Sequence, residues 1–229
     1  MKVVLITVLN NIFDRELADT FAREGCKVYA IGGERVEGVT LLPLDLKEAV
    51  SAVKNESGCI DIYIDTSDKR STADNFNVRS CIDNKIMKEL YDANVTRPMA
   101  LLEAFLPLLE EGEGKRLCYI SSAQASINET RGVDGLGYKM AKAALHNFLQ
   151  ITRNALAPKG YTLRAFDQIC NNFSANSKIL KNGEISAREA AQAAFNYFTR
   201  RRGIERGDAR RDDEGNLVMR DAYGRQHSW

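Results

Sequence analysis

The chain has 229 residues, 44% of them hydrophobic and 28% charged, which suits one well-buried domain spanning residues 1–229. Lysine and arginine number 32 against 31 aspartates and glutamates, a formal net charge of +1. That balance argues against a nucleic acid or an anionic membrane as partner, and no apolar stretch approaches the ~20 residues of a membrane span.

Val3–Val8 opens the chain as an apolar run, read as a strand rather than a signal segment because asparagines follow it and not small residues. Helical periodicity runs over Asp14–Glu24, strand-like runs over Lys27–Ile31 and Thr40–Leu44, a helix over Lys47–Lys54 and a strand over Ile60–Ile64. Ile86–Leu109 has helical spacing with Pro98 inside it, Glu110–Lys115 is a polar turn, and Arg116–Ile120 is the next strand. Ser121–Gly137 reads as a long polar loop, Tyr138–Leu156 as an amphipathic helix and Thr162–Phe166 as a strand.

Ser186 and Glu189 have capping-box spacing and open a helix over Ala187–Arg201 that ends in an arginine run, read as solvated surface rather than a binding patch. Glu205–Glu214 is a mixed-charge loop, and Leu217–Arg220 with Tyr223–Trp229 suggests a final strand and turn. The strand runs are apolar throughout instead of alternating, as in parallel strands covered on both faces. The expectation is an α/β fold with a doubly wound parallel sheet, a three-layer α/β/α sandwich of the Rossmann fold. Five cysteines, Cys26, Cys59, Cys81, Cys118 and Cys170, lack metal-ligand spacing, which predicts reduced thiols, a cytoplasmic setting and no structural metal.

Tyr138 and Lys142 form the one Tyr-x-x-x-Lys in the chain, at i and i+4 on one face of a helix that follows a strand and a long loop. Taken alone, such a pair is a surface Tyr and Lys on an amphipathic helix. Upstream, Leu117-Cys118-Tyr119-Ile120 runs into Ser121-Ser122, and Asn94 sits in the helix before that strand.

The order Asn94, Ser122, Tyr138, Lys142 on these elements resembles the short-chain dehydrogenase/reductases, as does the stretch Gly137-Tyr138-Lys139-Met140-Ala141-Lys142-Ala143-Ala144-Leu145. The resemblance covers nearly the whole chain, including Phe105-Leu106-Pro107 and the closing Trp229. It implies an NAD(P)-dependent oxidoreductase of the carbonyl reductase or alcohol dehydrogenase type, with NADP or NAD as cofactor and a small carbonyl or alcohol as substrate. It also implies a homodimer or homotetramer paired through the helices Ile86–Leu109 and Tyr138–Leu156. In this resemblance Tyr138 protonates a carbonyl while a nicotinamide delivers hydride, and the Lys142 ammonium lowers the phenol's usual pKa of ~10. Ser122 orients the carbonyl oxygen, and Asn94 holds water for a proton relay. The loop between Ser122 and Tyr138 is slightly longer than the family's, which leaves Ser121 or Ser126 open as the serine.

Three loops depart from the family pattern. Thr7-Val8-Leu9-Asn10-Asn11-Ile12-Phe13-Asp14 stands where that family has a glycine-rich turn, so Val8 and Ile12 would crowd the groove and Asp14 would bring a carboxylate near the phosphates. The plain reading of Asp14 is an N-cap. Ile64-Asp65-Thr66-Ser67 replaces Asn-Ala-Gly, and Asp167-Gln168-Ile169-Cys170-Asn171-Asn172 lacks Pro-Gly. Asp45 matches the acidic residue near the adenine, Gly32 and Gly33 follow the second strand, and Arg35 suits either a 2′-phosphate or open solvent.

Three functional readings follow: a reductase that grips its cofactor through the side chains of Thr7, Asn10 and Asn11; a non-catalytic relative that binds another small ligand or a protein; or hydride-free acid/base chemistry on Tyr138. The segment Asn172–Ile185, where substrate recognition is expected, carries no chemical signature.

Overall fold

The computed structural model describes residues 1–80, 82–168, 185–200 and 216–229. Strands β1 (Val3–Ile6), β2 (Lys27–Ile31), β3 (Val39–Leu42), β4 (Ile62–Asp65), β5 (Arg116–Ser121), β6 (Thr162–Asp167), β7 (Met219–Asp221) and β8 (Gln226–His227) form one sheet in the order β3-β2-β1-β4-β5-β6-β7-β8. Every pairing is parallel except β7 with β8, which are antiparallel. The doubly wound α/β expectation holds. The strand order turns back between β1 and β4, with β2 and β3 on one side and β5 onward on the other, and crevices at such switch points are where open α/β sheets bind ligands.

Strand periodicity divides the core. Leu5, Tyr29, Tyr63, Leu117 and Tyr119 meet α2 (Leu46–Glu56), α4 (Arg97–Glu111) and α5 (Leu136–Leu156) on one face. Ile6, Val28, Ile64 and Ile120 meet α1 (Ile12–Arg23) and α6 (Ala187–Thr199) on the other. Each fully buried Leu, Ile or Phe in these two layers stabilises the fold by about 1.5–3 kcal/mol.

The expected helix over Ile86–Leu109 is three pieces: α3 (Asn84–Tyr91), a π-helical turn over Asp92–Thr96, and α4. The reason is covalent, because Pro98 has no N–H to return to the carbonyl of Asn94, while the N–H of Arg97 reaches back five residues to Asp92. Within the expected loop Ser121–Gly137, residues Ala123–Ala125 form a 3₁₀ turn, and α5 starts at Leu136.

The capping box of α6 is present as read: Ser186 accepts from the Glu189 N–H, and Glu189 accepts from the Ser186 N–H. At the other end of α6, Arg116 Nη1 donates to the carbonyls of Phe198 and Arg200, and Arg164 Nη2 also reaches Arg200. Two arginines in neighbouring strands thus cap helix carbonyls. The mixed-charge loop Glu205–Glu214 lies outside the described residues, as does most of Asn172–Ile185. Among the described residues no helix is long and apolar enough to cross a membrane.

Candidate active site

Tyr138 stands in the first turn of α5, whose N-cap Gly135 adopts a left-handed φ of 69° and supplies no side-chain cap. The cap comes from elsewhere in the chain. Asp74 accepts from the N–H groups of Gly137 at 3.0 Å and Tyr138 at 2.8 Å, doing from a distance what an N-cap residue does locally. Gly137 lets α3 approach, since a Cβ there would lie 2.7 Å from Leu90 Cδ1.

One turn on, the Lys142 ammonium is fully buried and donates to the carbonyls of Ser67 at 2.7 Å and Ile120 at 3.3 Å. Its ionic partner is Asp68, whose Oδ1 lies 3.2 Å from Lys142 Nζ and accepts from the Tyr138 hydroxyl at 2.6 Å. Arg70 Nη2 donates to that hydroxyl at 3.0 Å, with its guanidinium 4.4 Å from the ring centroid. Gln168 Nε2 donates to the other Asp68 oxygen at 3.0 Å.

This changes the expected electrostatics. Lys142 was expected to lower the Tyr138 pKa, yet burial, reinforced by the Asp68 charge, holds it well above the usual tyrosine value, and the Arg70 cation only partly offsets the rise. For Asp68, burial pushes upward, but the Lys142 and Arg70 cations outweigh it and keep the group below the usual carboxylate range.

Of the three serines, Ser122 stands directly after β5 and caps the 3₁₀ turn by accepting from the Gln124 N–H. Ser121 points the other way, bonding His146 Nε2 at 2.6 Å, as alternation along a strand requires. Ser126 accepts from the Glu129 N–H. Asn94 has a different task from the water relay expected of it. Its Nδ2 donates to the carbonyls of Lys69 and Leu90, both at 2.9 Å, and its Oδ1 accepts from the Lys69 N–H at 3.1 Å. Asn94 therefore clamps the segment that carries Asp68 and Arg70.

The crevice between β1 and β4 is laced shut by two threonines. Thr66 Oγ1 accepts from the Val8 N–H and donates to the Val8 carbonyl, and Thr7 Oγ1 accepts from the Thr66 N–H. Thr7 is buried, and Asn11, not Asp14, is the N-cap of α1. Asp14 is the third residue of that capping box. Its Oδ2 accepts from the N–H groups of Asn10 at 2.9 Å and Asn11 at 3.3 Å, the backward half of the capping box. Asp14 Oδ1 is buried without a hydrogen-bond partner, and burial raises the group to about 8.

Gly33, at φ 96°, packs directly on Leu9, where a Cβ would stand 2.6 Å from the Leu9 carbonyl oxygen. Gly32 is likewise left-handed. Asp45 is a correction: its carboxylate caps α2 by accepting from the N–H groups of Lys47 and Glu48. Arg35 is exposed.

No family profile matches the chain. A Drosophila melanogaster protein, dehydrogenase/reductase SDR family protein 7-like, is 29% identical over 184 residues, covering 69% of this chain and 53% of the relative. The chain thus spans about half the length of the curated relative it matches. Among solved structures, a Burkholderia multivorans short-chain dehydrogenase/reductase with bound NADP superposes at a TM-score of 0.76 with 16% identity, covering 100% of this chain and 99% of that one. The NADPH-bound carbonyl reductase from chicken fatty liver gives 0.75 with 17% identity over 100% of both chains. A Pseudomonas aeruginosa carbonyl reductase in complex with NADP gives 0.74 with 18% identity, also over 100% of both.

The chain has the fold of the short-chain dehydrogenase/reductases and is similar in sequence to one of them over 184 residues. Within this fold Tyr138 and Lys142 share the Asp68 carboxylate, while Asn94 bonds the backbone of Lys69 and Leu90. The nucleotide side is different. Asp14 occupies the N–H groups of Asn10 and Asn11 just ahead of α1, Leu9 meets Gly33, and Asp68 with Arg70 covers Tyr138 and Lys142. In this arrangement the chain's own side chains occupy the Tyr138–Lys142 end of the crevice. Of the residues assigned to a side-chain grip, Thr7 and Asn11 are engaged with the chain's own backbone, while Asn10 is exposed and gives its backbone N–H to Asp14.

Sequence reasoning missed Asp68, Arg70, Asp74 and Gln168. The only local signal was the polar run Asp65-Thr66-Ser67-Asp68-Lys69-Arg70 after an apolar strand, where the family has small residues.

Proposed function

We propose that this chain is an oxidoreductase of the short-chain dehydrogenase/reductase kind acting on a small carbonyl or alcohol. Tyr138 holds the proton that is exchanged with the substrate oxygen, Ser122 orients that oxygen, Lys142 is the neighbouring cation, and Asn94 positions the segment above them. The observation that carries this reading is the meeting of the Tyr138 hydroxyl and the Lys142 ammonium on one carboxylate oxygen of Asp68, with Asn94 fixing the segment that holds Asp68. A cavity of about 490 Å³ lined by Asp74, Gln124, Arg131, Gly135 and Lys139 lies at the start of α5, where Asp74 accepts from the Tyr138 N–H, and offers room for a small substrate. The nucleotide of this reading is NADP or NAD. Neighbours that hold NADP and the exposed Arg35 favour NADP.

A second reading, a non-catalytic relative that binds another small ligand or a protein, is favoured by Asp14 on the N–H groups of Asn10 and Asn11. Titration with NADPH and NADH, followed by thermal stability, decides between the two. Saturable stabilisation supports the oxidoreductase, and its absence at millimolar nucleotide supports the second reading. With turnover in hand, Tyr138→Phe should abolish it without loosening the nucleotide.

The same reading extends to assembly. A homodimer through α4 and α5 would cover the outward Met99, Met140 and Ile151, which are 45%, 58% and 62% exposed. Light scattering at twice the chain mass supports it, and a monomer at high concentration counts against it.

A further inference from the structure

We infer that Asp68 is a built-in closing group of this site: its carboxylate stands between Tyr138 and Lys142, where an external ligand of that pair would stand, and the site opens only when Asp68 leaves. The inference rests on reading Tyr138 and Lys142 as the working pair.

Four donors from separate segments converge on this one carboxylate. The Tyr138 hydroxyl and Lys142 Nζ reach Oδ1 at 2.6 and 3.2 Å, while Gln168 Nε2 and Arg70 Nε reach Oδ2 at 3.0 and 3.4 Å. A carboxylate has about four acceptor positions, so Asp68 is saturated and leaves none of these donors aimed at an empty place. The Asp68 side chain is 6% exposed. Arg70 closes the phenol from the other side, yet its own side chain is 51% exposed, so the cover lies at the surface and not in the core.

Opening is mechanically defined. Segment 66–70 is held at its centre by Asn94, through both backbone groups of Lys69, and at its start by the Thr66–Val8 bonds. If Asp68 swings out, Lys142 keeps the carbonyls of Ser67 and Ile120 and is not stranded, while the freed carboxylate passes into water. The two carbonyl bonds separate Asp68 from an ordinary buried ion pair, in which loss of one partner leaves the other with nothing.

The test uses the full chain as wild type, Asp68→Asn and Asp68→Ala, with circular dichroism and melting curves to confirm folding. Asp68→Asn preserves shape and serves if the alanine variant is unstable. The first measurement is the ultraviolet titration of tyrosinate in each protein, taken as a difference from the same protein carrying Tyr138→Phe. In wild type the Tyr138 phenol should stay protonated until alkaline unfolding. In the variants, with Lys142 and Arg70 now facing it without the carboxylate, it should ionise at a hydroxide concentration at least tenfold lower. The second measurement is NADPH and NADH affinity, expected to tighten tenfold or more in the variants.

A shifted titration with tighter nucleotide binding supports both the closing role and the oxidoreductase reading. A shifted titration with no nucleotide bound by any protein supports the closing role and overturns the oxidoreductase reading. An unshifted titration in a folded variant overturns the closing role, and equal nucleotide affinity alongside it leaves the oxidoreductase reading intact.

Discussion

The phenol of Tyr138 donates to the carboxylate of Asp68 at 2.6 Å across 70 positions of sequence. That bond keeps the phenol protonated and engages the same oxygen that neutralises Lys142. The Tyr138–Lys142 pair is therefore occupied from within by Asp68.

Asp14 should make stability fall with rising pH. Burial lifts its pKa from 3.8 to about 8, so the folded state holds the proton more tightly than the unfolded chain. A raised value contributes fully below the unfolded pKa and is lost as pH climbs through the folded one. Asp14→Asn cannot ionise, so its urea stability should gain on wild type by at least ~1.4 kcal/mol across that window. A constant difference at all pH values would contradict the assignment.

Lys142→Met should be strongly destabilising. It retains the stem but strips the charge, leaving the Asp68 carboxylate, 6% exposed, without its main cation. Removing one partner of a buried pair costs about 3–5 kcal/mol. The double variant Lys142→Met with Asp68→Asn should recover much of that loss in denaturant melts, since no uncompensated charge remains; a strictly additive loss would mean the two do not act as a pair.

Asp74→Ala should loosen the start of α5. It removes the acceptor for the Gly137 and Tyr138 N–H groups at a helix whose own N-cap is glycine. A cap of this kind contributes roughly 1–2 kcal/mol. Hydrogen exchange should quicken at those two amides while α6, capped by its own Ser186, is unchanged; equal protection in wild type and Asp74→Ala would remove Asp74 from its role.

The C-terminal strand should dock most firmly at mildly acidic to neutral pH. Burial pulls His227 down, but Glu129 at 2.9 Å and Asp221 at 3.1 Å, the latter also held by Arg225, outweigh it and raise its pKa above 6.5. That contribution is complete below 6.5 and is lost as pH rises through the higher folded value. Glu129, held down to about 2 first by His227, contributes above 4.5 and loses its share as pH falls towards that value. Trp229 is the single tryptophan, packed edge-on to His146 with its indole N–H on Leu217, so its emission reports the docking. A red shift on alkalinisation is expected in wild type, and a flat response there would contradict the latch.

The amino-acid sequence by itself determined whatever depends on local spacing. The apolar strand runs required a sheet covered on both faces, Ser186 and Glu189 marked the start of α6, and the i,i+4 interval placed Tyr138 and Lys142 on one helix face. Helix and strand geometry repeat every few residues, so such relationships are written within one turn or one pleat. Only the tertiary structure decided what those side chains face. Asp68 and Arg70 lie on irregular backbone with no period to read, and the direction of their side chains is set by Asn94, a residue 25 positions away. Asp14 looked like a cap and is instead the occupant of the N–H groups beside that cap, because Asn11 took the N-cap position. Where a charge goes in a loop depends on which distant donors remain unsatisfied after the sheet has closed, and that balance exists only in the folded chain.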